Sequence, residues 1–462
     1  MPSKNLLFFM TDQQRFDTLF AKVGNQEVTP TWNTLANDGV YFSNTYTSCP
    51  LCVPARTSLA TGMNPLRTGM VLNDLPGKLA KNHTSLHRML YEAGYEVAHI
   101  GVNHISLDPK LEQSLPFAAW EDDHSYEAYA AAEGFSCKAH PSQRSQVSEL
   151  CDGTYENRMY SNPLVRPFDD DLSRFKDVWF TDKALDFIRK NHAKPFALFV
   201  CLWAPHPPLV VPPAYQALFN PDDIHLGDTI SCPAIREPQN RKNGAARQLG
   251  ANTEPSVWKK AWAAHYALTR LCDDQLIRLV QELKQQDLFD DTLLVCTADH
   301  GEQLGEHAMY QKMEMYESAV RVPAVIHLTD ATSSVQNTPI SHLDFVPTIL
   351  DLLDVACGQS FEGSSLAHTI LEGTPPPIKP VFSVYNGNHA IGDIRRMIVH
   401  EGWKYVWDGM EAELFHLEKD PSESINLSGL DQYRQREQQL HHMLSTWARQ
   451  SNDWIDYTRT WA

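Results

Sequence analysis

The sequence contains several small sets of side chains of the types used in nucleophilic and metal-assisted catalysis. Cys52-Val53-Pro54-Ala55-Arg56 sets a thiol and a guanidinium four positions apart, opening a small-residue helix that ends at Gly62. Asp12-Gln13 and Asp299-His300 each follow an apolar run directly. Two carboxylates, an amide oxygen and an imidazole make a mostly hard ligand set for a divalent cation such as Ca²⁺, Mn²⁺ or Mg²⁺. An aspartate after a strand can equally cap the next helix. His104 and His206 also lie just past apolar runs. There an imidazole can act as general acid or base, although an isolated histidine is more often structural. Lys312, taken alone, reads as a solvated lysine.

Cys49-Pro50-Leu51-Cys52 is also a CxxC, which leaves a redox pair, a disulfide or half a metal site open. A zinc site would need a second CxxC or paired histidines, and none follows at suitable spacing. A thioredoxin-like reading would need a small βαβ domain around the motif, but the motif sits inside a much longer chain.

These groups need a scaffold that brings them together. Continuous apolar runs at 5–10, 96–101, 196–203, 292–298 and 320–328 read as buried strands, and segments 84–93, 179–191 and 261–286 between them as helices. Strands alternating with helices predict an α/β fold, a large mostly parallel sheet sandwiched by helices. In such sheets ligands bind at the carboxyl ends of the strands, where the polar clusters stand. Segments 102–175 and 205–260 read as long insertions suited to substrate selection. Their Trp120, Tyr126 and Tyr160 either stack on a sugar or a quaternary ammonium or belong to local core. A helix at 344–353 and a linker over 358–380 precede a smaller C-terminal domain of antiparallel sheet plus helix, with a strand at 397–407 and a helix at 435–451. The expected domains are 1–375 and 376–462, with Asn386, His389 and Arg395 of the second shaping the substrate pocket.

Composition sets outer bounds. Hydrophobic residues at 42% and charged residues at 21% are ordinary for a globular enzyme. The net charge of −18 argues against nucleic-acid binding, and an anionic substrate would need local cations. No stretch approaches the ~20 apolar residues of a membrane span. Residues 1–10 are too short an apolar run for a signal peptide. A cytoplasmic location is therefore expected, or a periplasmic one if a leader was removed. Cys201 and Cys296, inside apolar runs, read as buried reduced thiols. Trp454 and Trp461 near the end suggest a homo-oligomer contact.

The motifs together resemble the type I sulfatases of the alkaline phosphatase superfamily. The stretch Asp299-His300-Gly301-Glu302-Gln303-Leu304-Gly305-Glu306-His307, then Lys312, Tyr316-Glu317 and Arg321-Val322-Pro323, is similar to that family's DHGE-x-LGEH…K…YE…RVP. Thr29-Pro30-Thr31, Asn64-Pro65-Leu66-Arg67-Thr68-Gly69 and Glu413-Leu414-Phe415-His416-Leu417 resemble further family segments, so the likeness spans essentially the whole chain. The resemblance implies that Cys52 is oxidised by a formylglycine-generating maturation enzyme, and that the hydrated aldehyde is the nucleophile. It further implies one divalent metal, Ca²⁺ foremost, on Asp12, Gln13, Asp299 and His300. Arg56 and His104 would hold and activate the nucleophile, Lys312 would bind sulfate, His206 would serve the leaving group, and Asn73 would contact substrate. The implied substrate is a small sulfate monoester, foremost a sulfated sugar. Two positions depart from the family. Val102 replaces the lysine of its GK-x-H segment, and Gln13 replaces a second acid, so that Gln13 either ligates the metal as a neutral group or only touches substrate. The Asp-Gln opening is more like the choline sulfatase and phosphonate monoester hydrolase branches, which keeps a phosphonate or phosphodiester substrate open.

Overall fold

A computed structural model describes residues 4–73, 78–136, 139–190 and 192–461. Its centre is the strand Asn5–Asp12, buried along its whole length. Alternate side chains of this strand enter two separate cores. Leu7 and Phe9 join a cluster with Val178, Phe180, Leu268 and Leu271, while Leu6, Phe8 and Met10 join another with Leu86, Phe345 and Ile349. A strand covered on both faces must be apolar at every position, which is why its sequence shows a continuous run rather than an alternation.

The strand belongs to an eight-stranded sheet in the order Ser334–Gln336, Val40–Phe42, Ala324–His327, Thr292–Ala298, Asn5–Asp12, Phe196–Pro205, Glu96–Gly101, Ala119–Glu121. Ala324–His327 runs antiparallel to both of its neighbours, and every other pairing in the sheet is parallel. Helices Lys176–Ile188 and Pro255–Gln285 cover one face; Leu86–Glu92 and Phe345–Leu352 cover the other. The large mostly parallel sheet sandwiched by helices is therefore present.

Several elements differ from the sequence reading, for local reasons. The run 320–328 is interrupted. Glu317–Val320 forms a helical turn, Arg321–Val322 pairs with Thr45–Tyr46 in a small side sheet, and only Ala324–His327 joins the main sheet. The proposed strand 397–407 is a hairpin, Arg395–His400 and Trp403–Trp407, reversing at Glu401-Gly402 with φ of 49° and 75°. Positive φ at both turn residues matches the right-handed twist of the flanking strands. The insertion 102–175 contains a second hairpin, Arg144–Cys151 with Thr154–Ser161, turning at Asp152-Gly153. The linker 358–380 includes the short helix Ala367–Glu372.

The C-terminal unit is a four-stranded antiparallel sheet, Val381–Tyr385, Arg395–His400, Trp403–Trp407 and Ala412–His416, in chain order. Helix Arg434–Gln450 lays Leu440 and Leu444 on Ile398, Tyr405 and Leu414. Buried Lys404, 2.7 Å from both Glu317 and Glu423, ties this sheet to the main body. Trp454 is exposed, whereas Trp461 folds back on Arg459 and His441. Among the described residues no helix is long and apolar enough to cross a membrane.

Candidate active site

The site assembles where the central strands end. Asp12 closes strand Asn5–Asp12, and Asp299 follows strand Thr292–Ala298, its backbone N–H donating to the Thr11 carbonyl at 3.2 Å. Parallel pairing of these neighbours, with Thr11 opposite Ala298, puts both carboxylates at one edge. Cys52 is the first residue of helix Cys52–Thr61, which ends at Gly62 in the left-handed region. Pro54 lies in the first turn, where a missing N–H leaves no helical bond unmade. Arg56 then projects from the same helix, one turn on.

Arg56 is wholly buried and joins the three segments. Its Nη2 donates to Asp12 Oδ2 and its Nε to Asp299 Oδ2, both at 2.8 Å, while Nη1 donates to the Val102 carbonyl at 2.8 Å. That carbonyl is in reach because Gly101 turns the chain at φ 117°, where a Cβ would lie 1.9 Å from the Cys201 oxygen. Val102 thus offers no cation, but its backbone holds the arginine.

The Cys52 sulfur lies 3.2 Å from His300 Nε2 and 3.8 Å from Asp12 Oδ1, and accepts from Lys312 Nζ at 2.9 Å. One donor atom each from Asp12, Cys52, Asp299 and His300 fall within 4.8 Å of one another, all buried. This donor set fits a divalent cation: two carboxylate oxygens and an imidazole nitrogen converge within 4.8 Å of one another. Electrostatics agree with the geometry. Burial and the neighbouring Asp299 push Asp12 up to about 7, against the pull of Arg56 and Lys312. A cation at this point would relieve that cost. Burial is opposed more successfully at Asp299, where His300, Arg56 and Lys312 hold the carboxyl well below its usual range. Burial lowers His300 to about 3, so the ring is neutral and able to ligate. Burial raises the Cys52 thiol to about 12, with Asp12 adding to the effect. An unmodified Cys52 is therefore a poor thiolate nucleophile at neutral pH.

Gln13 stands at the edge of this cluster. Its backbone has φ 66°, and its N–H donates to Asp299 Oδ1 at 3.0 Å. Its side-chain oxygen accepts from Lys312 Nζ at 2.7 Å, and its amide nitrogen donates to buried Glu302. Gln13 thus orients Lys312 beside the sulfur. Glu302, which the residue types alone did not single out, orients Gln13 in turn.

Above the sulfur is a cavity of about 310 Å³ lined by Cys52, Asn73, His104, His206, Lys312 and His389, among others. Burial pushes His104 down to about 4, with Arg56 adding to the effect, and its Nδ1 has no partner among the described residues. Burial, then Lys312, holds His206 well below the usual imidazole value. Both rings are neutral, and proton acceptors before they are donors. Asn73 accepts from the Val53 N–H at 3.0 Å and donates to Asn388 Oδ1 at 2.8 Å. Two expected pocket residues are committed elsewhere. Arg395 makes a bidentate pair with Glu314 at 2.9 and 3.0 Å, and Asn386 accepts from Arg396. Asn388, Gln311 and Arg144 line the cavity instead. Of the three aromatics considered for substrate stacking, only Tyr160 reaches it; Trp120 stacks on His99 and Tyr126 sits among Tyr129, Phe135 and Trp179. Cys49 and Cys52 are both free, so the CxxC forms no disulfide.

The sequence matches the Sulfatase family over residues 4–355. The chain belongs to the sulfatase family. The C-terminal region of the N-sulphoglucosamine sulphohydrolase family matches residues 305–450. An arylsulfatase of Clostridium perfringens is 26% identical, over 95% of this chain and 93% of its own length. The fold is that of the phosphonate monoester hydrolase of Agrobacterium radiobacter, with TM-score 0.78, 22% identity, and coverage of 97% of this chain and 96% of that one. It is equally that of BT4656 in complex with its substrate D-glucosamine-2-N,6-O-disulfate, with TM-score 0.73, 21% identity, and coverage of 97% and 98%. This sulfatase-family chain is an enzyme of the sulfuric ester hydrolase class.

Proposed function

We propose that this chain hydrolyses a small sulfate monoester, a sulfated sugar foremost, to alcohol and inorganic sulfate, using a formylglycine made from Cys52 and one divalent metal. The observation that carries the reading is the position of residue 52. Its side chain ends within 4.8 Å of the ligand atoms of Asp12, Asp299 and His300 and 2.9 Å from Lys312. When bound, a divalent cation on these residues would withdraw charge from sulfate oxygens, while the formylglycine hydrate would supply a hydroxyl nucleophile at neutral pH. Ca²⁺ suits the mostly oxygen donor set best, with Mn²⁺ or Mg²⁺ as the other candidates.

The chain's own residues divide the remaining work. Asp12, Asp299 and His300 hold the metal, with Gln13 at its edge between metal, Lys312 and substrate. Arg56 keeps the two carboxylates in register with the nucleophile. Lys312 binds the transferring group and offsets its developing charge. His104, neutral and with a free ring nitrogen, takes a proton from the nucleophile; His206 faces the departing oxygen. Asn73 and His389 contact the alcohol, and Asn386 and Arg395 support the loop that carries His389. Domain 376–462 thereby completes the pocket of domain 1–375. The partner required for activity is a maturation enzyme, and the chain is read as cytoplasmic and as a candidate homo-oligomer through Trp454.

Intact mass of matured protein tests the first step: conversion at residue 52 lowers the mass by about 18 Da. Initial rates on nitrophenyl sulfate test the second. Gln13 in place of an acid, with the phosphonate hydrolase likeness, supports a second reading, a phosphonate monoester or phosphodiester hydrolase. Faster turnover of phenyl phosphonate esters than of nitrophenyl sulfate would favour that reading over sulfate.

A further inference from the structure

Two cavities meet at Val53, Asn73 and His104, and their charges differ. One, of about 390 Å³, has Glu112, Asp122 and Asp123 in its wall. The other, of about 310 Å³, contains Cys52, Lys312 and His206 and therefore receives the leaving alcohol. Among the described residues its wall holds no carboxylate, in a chain with 57 acidic and 39 basic residues. It does hold Arg144. Arg144 opens strand Arg144–Cys151 opposite Ser161, and its exposed guanidinium has no carboxylate partner among the described residues. Arg15, Arg56, Arg241 and Arg395 by contrast are each ion-paired.

The acid on the Arg144 strand is held by other partners. Glu149, on the same strand as Arg144, accepts from Tyr160 Oη at 2.7 Å, from His389 Nδ1 at 2.9 Å, and from the backbone N–H groups of Asn388 and His389. These bonds use both of its oxygens and lock the His389 ring, leaving Nε2 as that ring's remaining polar atom. Met159, 57% exposed, adds an apolar surface to the same wall.

We infer that the leaving alcohol carries a second anionic group, a carboxylate or a second sulfate, which Arg144 binds with His389 beside it. This rests on the sulfatase reading above and narrows its substrate. An unpaired guanidinium at the mouth of this cavity attracts such a group and disfavours a cationic alcohol such as choline.

The test compares kcat/KM for 3-carboxyphenyl sulfate with phenyl sulfate, and for glucosamine 2-N,6-O-disulfate with N-acetylglucosamine 6-sulfate, whose 2-position carries no charge. The two pairs distinguish a carboxylate from a sulfate as the bound group. In Arg144→Ala the dianion-to-monoanion ratio is expected to fall about five- to ten-fold, the range of one charged hydrogen bond at a part-exposed site. Arg144→Glu should reverse the preference and Arg144→Lys keep most of it. Taking the ratio between variant and parent cancels leaving-group differences. Ratios unchanged in both pairs, equal losses for every ester, or a gain with choline sulfate as acceptable as the dianions would overturn the inference. Calorimetric binding of the same pairs to Cys52→Ala protein separates it from the sulfatase reading. If no sulfate ester is turned over, that reading fails, while tighter dianion binding that Arg144→Ala removes still supports the anion site, and equal binding refutes it.

Discussion

The floor and the mouth of the pocket are built in opposite ways. On the floor, Asp12, Cys52, Arg56, Asp299 and His300 come from the ends of two adjacent strands and the first turns of one helix, all fully enclosed. At the mouth, Arg144, Glu149, Tyr160, Asn388 and His389 come from a hairpin and a loop more than two hundred residues apart, joined by hydrogen bonds at a part-exposed rim. A buried charge cluster on regular elements can adopt one arrangement only, because each unpaired charge there is costly. A rim stitched by neutral and single-charge hydrogen bonds can be rebuilt at small cost. On the proposed function, the floor therefore sets what chemistry is possible, and the mouth which alcohol is accepted.

Changes at the floor should be the most damaging. Cys52→Ser is expected to lower multiple turnover by at least ~10³-fold, since a serine at 52 lacks the second hydroxyl of the hydrate. Steady-state assay of the purified variant checks this, and full turnover would remove the formylglycine reading. Arg56→Ala comes next. It strips both hydrogen-bonded carboxylates of their partner, so denaturant unfolding should show a loss of about 3–5 kcal/mol. Added Ca²⁺ should recover part of that loss if Asp12 and Asp299 are metal ligands. Chelation of the parent protein should abolish turnover and lower the melting temperature. At a free-ion concentration ~100 times Kd, restored metal contributes about 2.7 kcal/mol. A melting temperature indifferent to chelator and to Ca²⁺ would mean that the four-group cluster holds no ion.

What the sequence made readable follows the same division. Asp12 and Asp299 were visible because each directly ends an apolar run, so position after a strand carries the information. Cys52 and Arg56 share one helix, and their spacing alone keeps them together. The main sheet and its covering helices were readable for the same reason, since buried strands leave continuous apolar runs. Arg395 was misplaced because nothing local reveals that Glu314 takes its guanidinium. Asn388 rather than Asn386 faces the pocket, a difference of two residues in a loop with no periodicity to fix its direction. The hairpin that carries Arg144 and Tyr160 did leave a signal, the turn dipeptide Asp152-Gly153, at φ 48° and 86°. Read that way, residues 144–161 would have been a hairpin from the start, though not one aimed at Cys52.

The mildest change breaks the mouth without touching the floor. Burial pushes the Glu149 carboxyl up, but hydrogen bonds from His389 and Tyr160 outweigh it and hold it below the ordinary glutamate value. A carboxyl lowered on folding contributes stability that is present above its unfolded value, about 4.3, and is lost as pH falls through the folded value. Glu149→Gln keeps the shape, removes the charge and leaves a partner underbonded, at a cost of about 1–2 kcal/mol near neutral pH. That difference from the parent should begin to narrow below the unfolded value and close as the pH falls through the lower, folded value. The kinetic signature should be a few-fold rise in KM with kcat nearly kept, because His389 loses its orientation while Lys312 and the proposed metal-binding residues do not. A fall in kcat as large as that of the floor variants would show instead that rim and floor act as one unit.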